Sequence, residues 1–107
     1  MYKVSLAIPI YNVSLFVERA LLSVLNQTYD NIEYLIVDDK GQDDSMDIVH
    51  RIIKDHPRGK DVRIIEHPYN IGLGATRNTA IDNAQGEYLF FMDSDDEIIP
   101  TCIEILV

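Results

Sequence analysis

Four short apolar runs, each halted by a polar or acidic loop and each followed by a segment of helical periodicity, constrain this chain more than any other feature. Val4 to Ile8 is apolar and β-branched and stops at Pro9, which has no N–H to give to a ladder. Ile32 to Val37 is almost continuously apolar, the composition of a strand buried on both faces. Val62 to Ile65 and Tyr88 to Met92 complete the set. Between the first two runs, Leu15, Val17, Ala20, Leu21, Leu22, Val24 and Leu25 recur at helical spacing behind Ser14 as the predicted N-cap. Met46, Ile48, Val49, Ile52 and Ile53 do the same behind Asp43, Asp44 and Ser45. Gly72 to Ala84 is a third helix rich in small residues, with Gly86 placed as a left-handed C-terminal cap, and Ile98 to Val107 begins a fourth with Pro100 in its first turn. The order βαβαβαβα predicts a doubly wound α/β fold: a mainly parallel sheet of about four strands, right-handed crossovers and helices on both faces.

Ligands of such sheets bind beyond the carboxyl ends of the strands, where the strand order reverses. Tyr11, Asp38 with Asp39, Asn70 with Gly72, and the carboxylates Asp93, Asp95, Asp96 and Glu97 each follow one of the four runs, so the topology gathers them on one edge. Acidic residues at the start of a helix complement its dipole, and that alone accounts for either acidic loop. Two such loops on one edge point instead to a cation between them, and hard oxygen ligands suit Mg²⁺ or Mn²⁺ carrying a diphosphate. The calcium-loop pattern fails, because Asp93-Ser94-Asp95-Asp96-Glu97 runs into Ile98 and Ile99 without the required Gly and later Glu. Tyr11 is either a partly buried aromatic or a surface on which a base stacks.

The remaining composition narrows the function classes. With 107 residues the chain makes one domain with one core, and 9 basic against 18 acidic residues give a net charge of −9. That charge repels nucleic acids and acidic lipid headgroups. The single cysteine, Cys102, excludes an internal disulfide and reads as a small core residue of a cytoplasmic protein. The N-terminus lacks the apolar segment of a signal peptide, and no stretch is long enough to span a bilayer. Gly72-Leu73-Gly74 lacks the third glycine of a dinucleotide fingerprint, and no P-loop exists. His50, His56 and His67 have no zinc spacing, and no chemistry is assigned to them.

Several segments in order resemble the N-terminal half of family 2 glycosyltransferases, an inverting group with the GT-A fold: V-S-L-A-I-P-I-Y-N from Val4, L-L-S-V-L-N-Q-T-Y from Leu21, I-E-Y-L-I-V-D-D from Ile32, Asn70-Ile71-Gly72, A-T-R-N from Ala75, and A-Q-G-E-Y-L-F-F-M-D-S-D-D from Ala84. The resemblance implies a donor site for a nucleotide-diphospho-sugar, with a UDP-sugar favoured. By position, Pro9 and Tyr11 would lie against the base and Asp39 would hydrogen-bond it. Asp93-Ser94-Asp95 would be the D-x-D motif, Asp93 near the ribose and metal and Asp95 on the Mn²⁺ or Mg²⁺, with Asp96 a substitute ligand. Arg77 matches the arginine of the A-R-N segment near the donor. Lys40-Gly41-Gln42 stands where Gly-Ser-Thr is usual, putting a side chain at a turn-glycine position.

The resemblance also implies that residues 1–107 are the donor-binding half of a longer enzyme, without the acceptor half and its catalytic base, and nearly inactive alone. The acceptor saccharide would bind through the region beyond, and the edge of the fourth strand, normally covered there, would favour self-association. The rival from the residues alone is a receiver-like module whose acidic cluster binds Mg²⁺ and accepts a phosphoryl group. Such a module carries its acidic pair after the first strand, where this chain has Pro9 and Tyr11.

Overall fold

The computed structural model describes Met1–Val107. Its strands are β1 (Val4–Ile10), β2 (Ile32–Asp38), β3 (Val62–Glu66) and β4 (Tyr88–Phe91), and its helices are α1 (Val17–Leu25), α2 (Ser45–Asp55), α3 (Leu73–Asn83) and α4 (Cys102–Leu106). All pairings are parallel, in the order β3-β2-β1-β4. The register sets Val4 beside both Ile32 and Tyr88, and Asp38 beside Glu66. The chain builds outward from β1 to β3, then crosses back to lay β4 on the other side of β1. The order therefore reverses between β1 and β4.

The period of two along β1 divides the core. Val4, Leu6, Ile8 and Ile10, with Ile32, Tyr34 and Ile36, face Val17, Leu21, Val24 and Leu25 of α1, Val49 and Ile52 of α2 and Ile103 of α4 in a cluster of 16 buried residues. The intervening positions Ala7 and Leu35 meet Ala80 of α3 on the opposite face. Helices thus cover both faces, and small residues on that second face let α3 lie close to the sheet.

Several element boundaries differ from those expected. Pro9 does not stop the first strand, which runs through it to Ile10, with Pro9 beside Val37 and Ile10 beside Asp38. The first helix starts at Val17, not Leu15, because the loop before it is pinned from outside: Val13 N donates to Ser45 Oγ at 2.9 Å and Ser14 N to an Asp43 carboxylate oxygen at 3.0 Å. Ser14 therefore caps nothing, and Leu15 is left exposed. The third helix ends at Asn83 with Ala84 extended, so Gly86 is not its cap. A Cβ on Gly86 would stand 2.7 Å from both the Lys3 carbonyl and Ser5 Oγ; the glycine is there for close approach to β1. The fourth helix begins at Cys102, after Pro100, whose carbonyl accepts from Thr28 N at 2.8 Å. Pro57–Asp61 forms a 3-10 turn leading into β3. Cys102 is a half-buried free thiol rather than a fully buried core residue. No helix is long and apolar enough to cross a membrane.

Candidate functional site

At the reversal point the carboxyl ends of the strands frame a cleft of about 470 Å³. Pro9, Tyr11 and Val13 form its β1 side, Asp39 its floor, Asn70, Gly72, Leu73 and Thr76 one wall, and Asp93, Ser94 and Asp95 the other. Tyr11 is 46% exposed at the mouth, its ring free to meet a ligand. No lysine or arginine lines the cleft; its charged side chains are all carboxylates.

Asp39 and the Asp93 loop occupy this edge in opposite ways. Asp39 continues the ladder past β2, its N–H donating to the Ile10 carbonyl at 3.0 Å, and it is buried. One carboxylate oxygen accepts from His67 Nδ1 at 2.8 Å and Ile71 N at 3.0 Å; the other accepts from Asn70 Nδ2 at 2.7 Å and Gly72 N at 3.1 Å. All four acceptor positions of the carboxylate are filled from within the protein. Burial pushes this carboxyl up, but the hydrogen bonds from His67, Ile71 and Gly72 outweigh it and hold it below the usual aspartate range. The loop they organise turns at Gly72, whose φ of 96° belongs to the region only glycine enters freely, and delivers the chain into α3.

Asp93, Asp95 and Asp96 are exposed, and each offers a carboxylate oxygen within 4.8 Å of the others. A turn closed by Asp96 N on the Asp93 carbonyl at 3.1 Å gathers them, while Ser94 is buried. None of the three takes part in an ion pair, although Glu97 next to them bonds Arg19. Three hard oxygen donors at this spacing, without a protein cation, fit a divalent ion of the Mg²⁺ or Mn²⁺ class.

A family model described as glycosyl transferase family 2 matches residues 5–107. The chain belongs to this family. Among its relatives is an uncharacterized glycosyltransferase of Haemophilus influenzae, 40% identical over 95 residues, 89% of this chain and 37% of the relative. The S. aureus TarS 1-349 crystal structure in complex with UDP-GlcNAc superposes with a TM-score of 0.87 at 28% identity, covering 97% of this chain and 30% of that one. The mannosyltransferase PcManGT from Pyrobaculum calidifontis, in complex with GDP-Man and Mn²⁺, superposes with a TM-score of 0.83 at 26% identity, covering 90% and 28%. This family 2 chain thus spans about a third of the length of these three proteins. Its α/β architecture is that of GT-A glycosyltransferases.

Of the site residues expected from the family 2 resemblance, Pro9, Tyr11, Asp39, Asp93 and Asp95 meet in the cleft. Arg77 does not. Its guanidinium lies over the Phe91 ring, 5.3 Å from the centroid, and Arg77 is not among the residues lining the cleft. Lys40 takes the left-handed backbone that a turn glycine would, with φ of 55°, and its N–H donates to Asp38 Oδ1 at 2.9 Å. Its ammonium group pairs with Glu66 at 2.8 Å, so the turn keeps its shape despite the side chain. His67, given no role from its spacing, is buried against Asp39. The signal that could have found it is positional: His67-Pro68-Tyr69-Asn70 directly follows β3 on the edge where the other polar loops gather.

Proposed function

We propose that the cleft binds the nucleotide-diphosphate part of a sugar donor, UDP-linked by preference, through a divalent Mn²⁺ or Mg²⁺ held by Asp93 and Asp95, with Asp96 as a further ligand. The observation that carries this reading is the lining itself: a diphosphate entering a cleft with three carboxylate side chains and no basic one needs a cation between. The bound metal would supply charge stabilisation to the departing diphosphate. Pro9 and Tyr11 form the face against which the base stacks. Asp39 shapes the floor beneath it, and reaches the base directly only by exchanging the Asn70 amide for a base N–H. The UDP-GlcNAc complex of TarS and the complex of the mannosyltransferase with GDP-Man and Mn²⁺, both sharing this fold, support the ligand class and the metal.

The transfer is inverting in this reading, and the base that deprotonates the acceptor hydroxyl is not one of the cleft residues assigned above. The chain by itself holds the donor and does not complete the transfer. Its open β4 edge, where Tyr88 and Leu89 are exposed, favours self-association, and light scattering that shows a monomer at every concentration would exclude this.

Isothermal titration of the chain with UDP, in Mn²⁺ and in EDTA, tests the central claim. Binding is expected with the metal and at least tenfold weaker in EDTA. Equal affinity in the two buffers would remove the metal from the site, and no binding in either would remove the donor.

A further inference from the structure

His67 does not itself line the cleft and bonds none of the carboxylates of the Asp93 loop, yet the residue is 5% exposed and its ring is bonded at both nitrogens. Nδ1 faces a carboxylate, which only accepts, so this nitrogen carries a proton and donates to Asp39 at 2.8 Å. Nε2 lies 2.7 Å from the hydroxyl of Thr79, whose one proton serves either Nε2 or the Ala75 carbonyl, 3.0 Å away inside α3. The His67 backbone N–H reaches the Asp38 carbonyl at 2.9 Å. One residue therefore joins the ends of β2 and β3 to the body of α3.

The consequence lies on the other side of the Asp39 carboxylate. The oxygen that His67 holds also accepts from Ile71 N, and its twin accepts from Asn70 Nδ2 and Gly72 N. Without the ring, that oxygen keeps one donor, and every donor left on the carboxylate belongs to residues 70–72, so no side chain outside that loop holds it in place. The Asn70-Ile71-Gly72 loop, which has no strand or helix of its own to hold it, would then lose its fixed acceptor. Asn70 and Gly72 line the cleft, and Gly72 sets the start of α3, whose Leu73 and Thr76 continue the same wall.

We propose that His67 is a positioning residue for nucleotide binding: it fixes the Asp39 carboxylate, the carboxylate fixes the 70–72 wall of the cleft, and donor affinity follows without His67 touching the donor. The ligand in this proposal rests on the reading under Proposed function.

Two replacements separate the two ends of the ring. In His67→Asn the amide N–H takes the place of Nδ1 and the Thr79 contact is lost; in His67→Gln the longer amide reaches the place of Nε2 and the Asp39 contact is lost. Amide hydrogen exchange at Ile71 and Gly72 in the ligand-free chain is expected within about threefold of wild type for His67→Asn and at least about tenfold faster for His67→Gln. The dissociation constant for UDP with Mn²⁺ is expected to follow, within about threefold for the first and weakened about tenfold or more for the second. A general loss of packing would affect both variants alike, and that result would overturn the proposal. So would unchanged exchange at Ile71 and Gly72 in His67→Gln. If the wild-type chain takes no UDP, the donor reading falls and the exchange comparison alone decides for or against His67. Should His67→Gln not fold, the wild-type chain decides. Its ring Nδ1–H is expected as a slowly exchanging proton resonance with a nuclear Overhauser contact to the Ile71 amide proton, and its absence in the cold would overturn the proposal.

Discussion

Asp39 and the Asp93 loop stand at the same sheet edge on either side of β1, carry the same functional group and do opposite things with it. Asp39 is buried, its charge stabilised in place by four N–H donors drawn from His67, Asn70, Ile71 and Gly72. Asp93, Asp95 and Asp96 are exposed and unpaired, three oxygens within 4.8 Å of each other. A carboxylate whose acceptor positions are filled by the protein serves the protein's own shape. Carboxylates crowded together without donors have their free energy lowered by something from outside. The contrast separates the residue that builds the cleft from those that hold what enters it, and substitutions should divide the two groups by what they damage.

The largest expected effect is on stability at Asp39. Asp39→Asn keeps the shape but turns an NH₂ group toward N–H donors, and should cost about 3 kcal/mol in urea unfolding, as breaking a buried charged hydrogen-bond network does. An unchanged midpoint would mean that the four bonds are incidental. Asp95→Asn should show the reverse pattern. Stability should stay within about 0.5 kcal/mol of wild type or rise slightly, since one member of a repelling group is neutralised, while metal-dependent UDP affinity falls about tenfold or more, roughly 1.4 kcal/mol. A large stability loss with normal binding would reverse the assignment of the two loops.

Acid sharpens the same comparison more gently. The folded chain holds Asp39 below the usual aspartate range, and it holds Asp43 at about 2, where burial raises the carboxyl but hydrogen bonds from Ser45 and Ser14 lower it further. A carboxyl lowered on folding contributes stability that is complete above its unfolded value of about 4 and is lost as pH falls through the folded value. The thermal midpoint should therefore change little from these two groups between pH 7 and about 5, and drop between about pH 4 and 2. Asp39→Asn should make that drop shallower, whereas Asp95→Asn should leave the contribution of Asp39 in place.

The smallest effects belong to the basic residues beside the site. Arg77→Met removes an exposed contact with Phe91 and should cost about 0.5 kcal/mol or less, with UDP affinity within about twofold of wild type. A tenfold loss of affinity would show that Arg77 leaves Phe91 for the donor when it binds. Lys40→Gly relieves the left-handed backbone but gives up the exposed pair with Glu66 and adds freedom to the unfolded chain. These terms oppose one another, and the net change should stay within about 1 kcal/mol.

Much of this fold was legible in the residues. The almost continuous apolar character of Ile32 to Val37, with helical spacing on either side of it, leaves few alternatives to a buried parallel strand. The boundaries that shifted are those set by distant groups: α1 starts late because Asp43 and Ser45 seize the backbone ahead of it, and Gly86 answers to Lys3 and Ser5 rather than to the helix before it. At the site, Tyr11, Asp39, Asp93 and Asp95 were legible because each lies in a loop that follows a strand, whereas Pro9, inside β1, was reached only through the family resemblance. His67 stands there too, but nothing in its neighbours along the chain shows that its partners are Asp39 and Thr79, 28 positions before it and 12 after. The placement of Arg77 over Phe91 likewise depends on how α3 lies across β4.

By itself, then, the order of residues determined the alternation of strands and helices and the edge to which the polar loops belong, because side-chain period and chain-breaking residues act over a few positions. Only the tertiary structure decided that β4 lies beside β1, so that Tyr11 and Asp93 share a cleft, and that Asp39 spends its charge inside the protein while Asp93, Asp95 and Asp96 keep theirs free. The physical reason is that a carboxylate's role is set by how many donors reach it. Three of the residues that reach Asp39 come from a loop more than thirty positions away, brought there by the packing of the sheet.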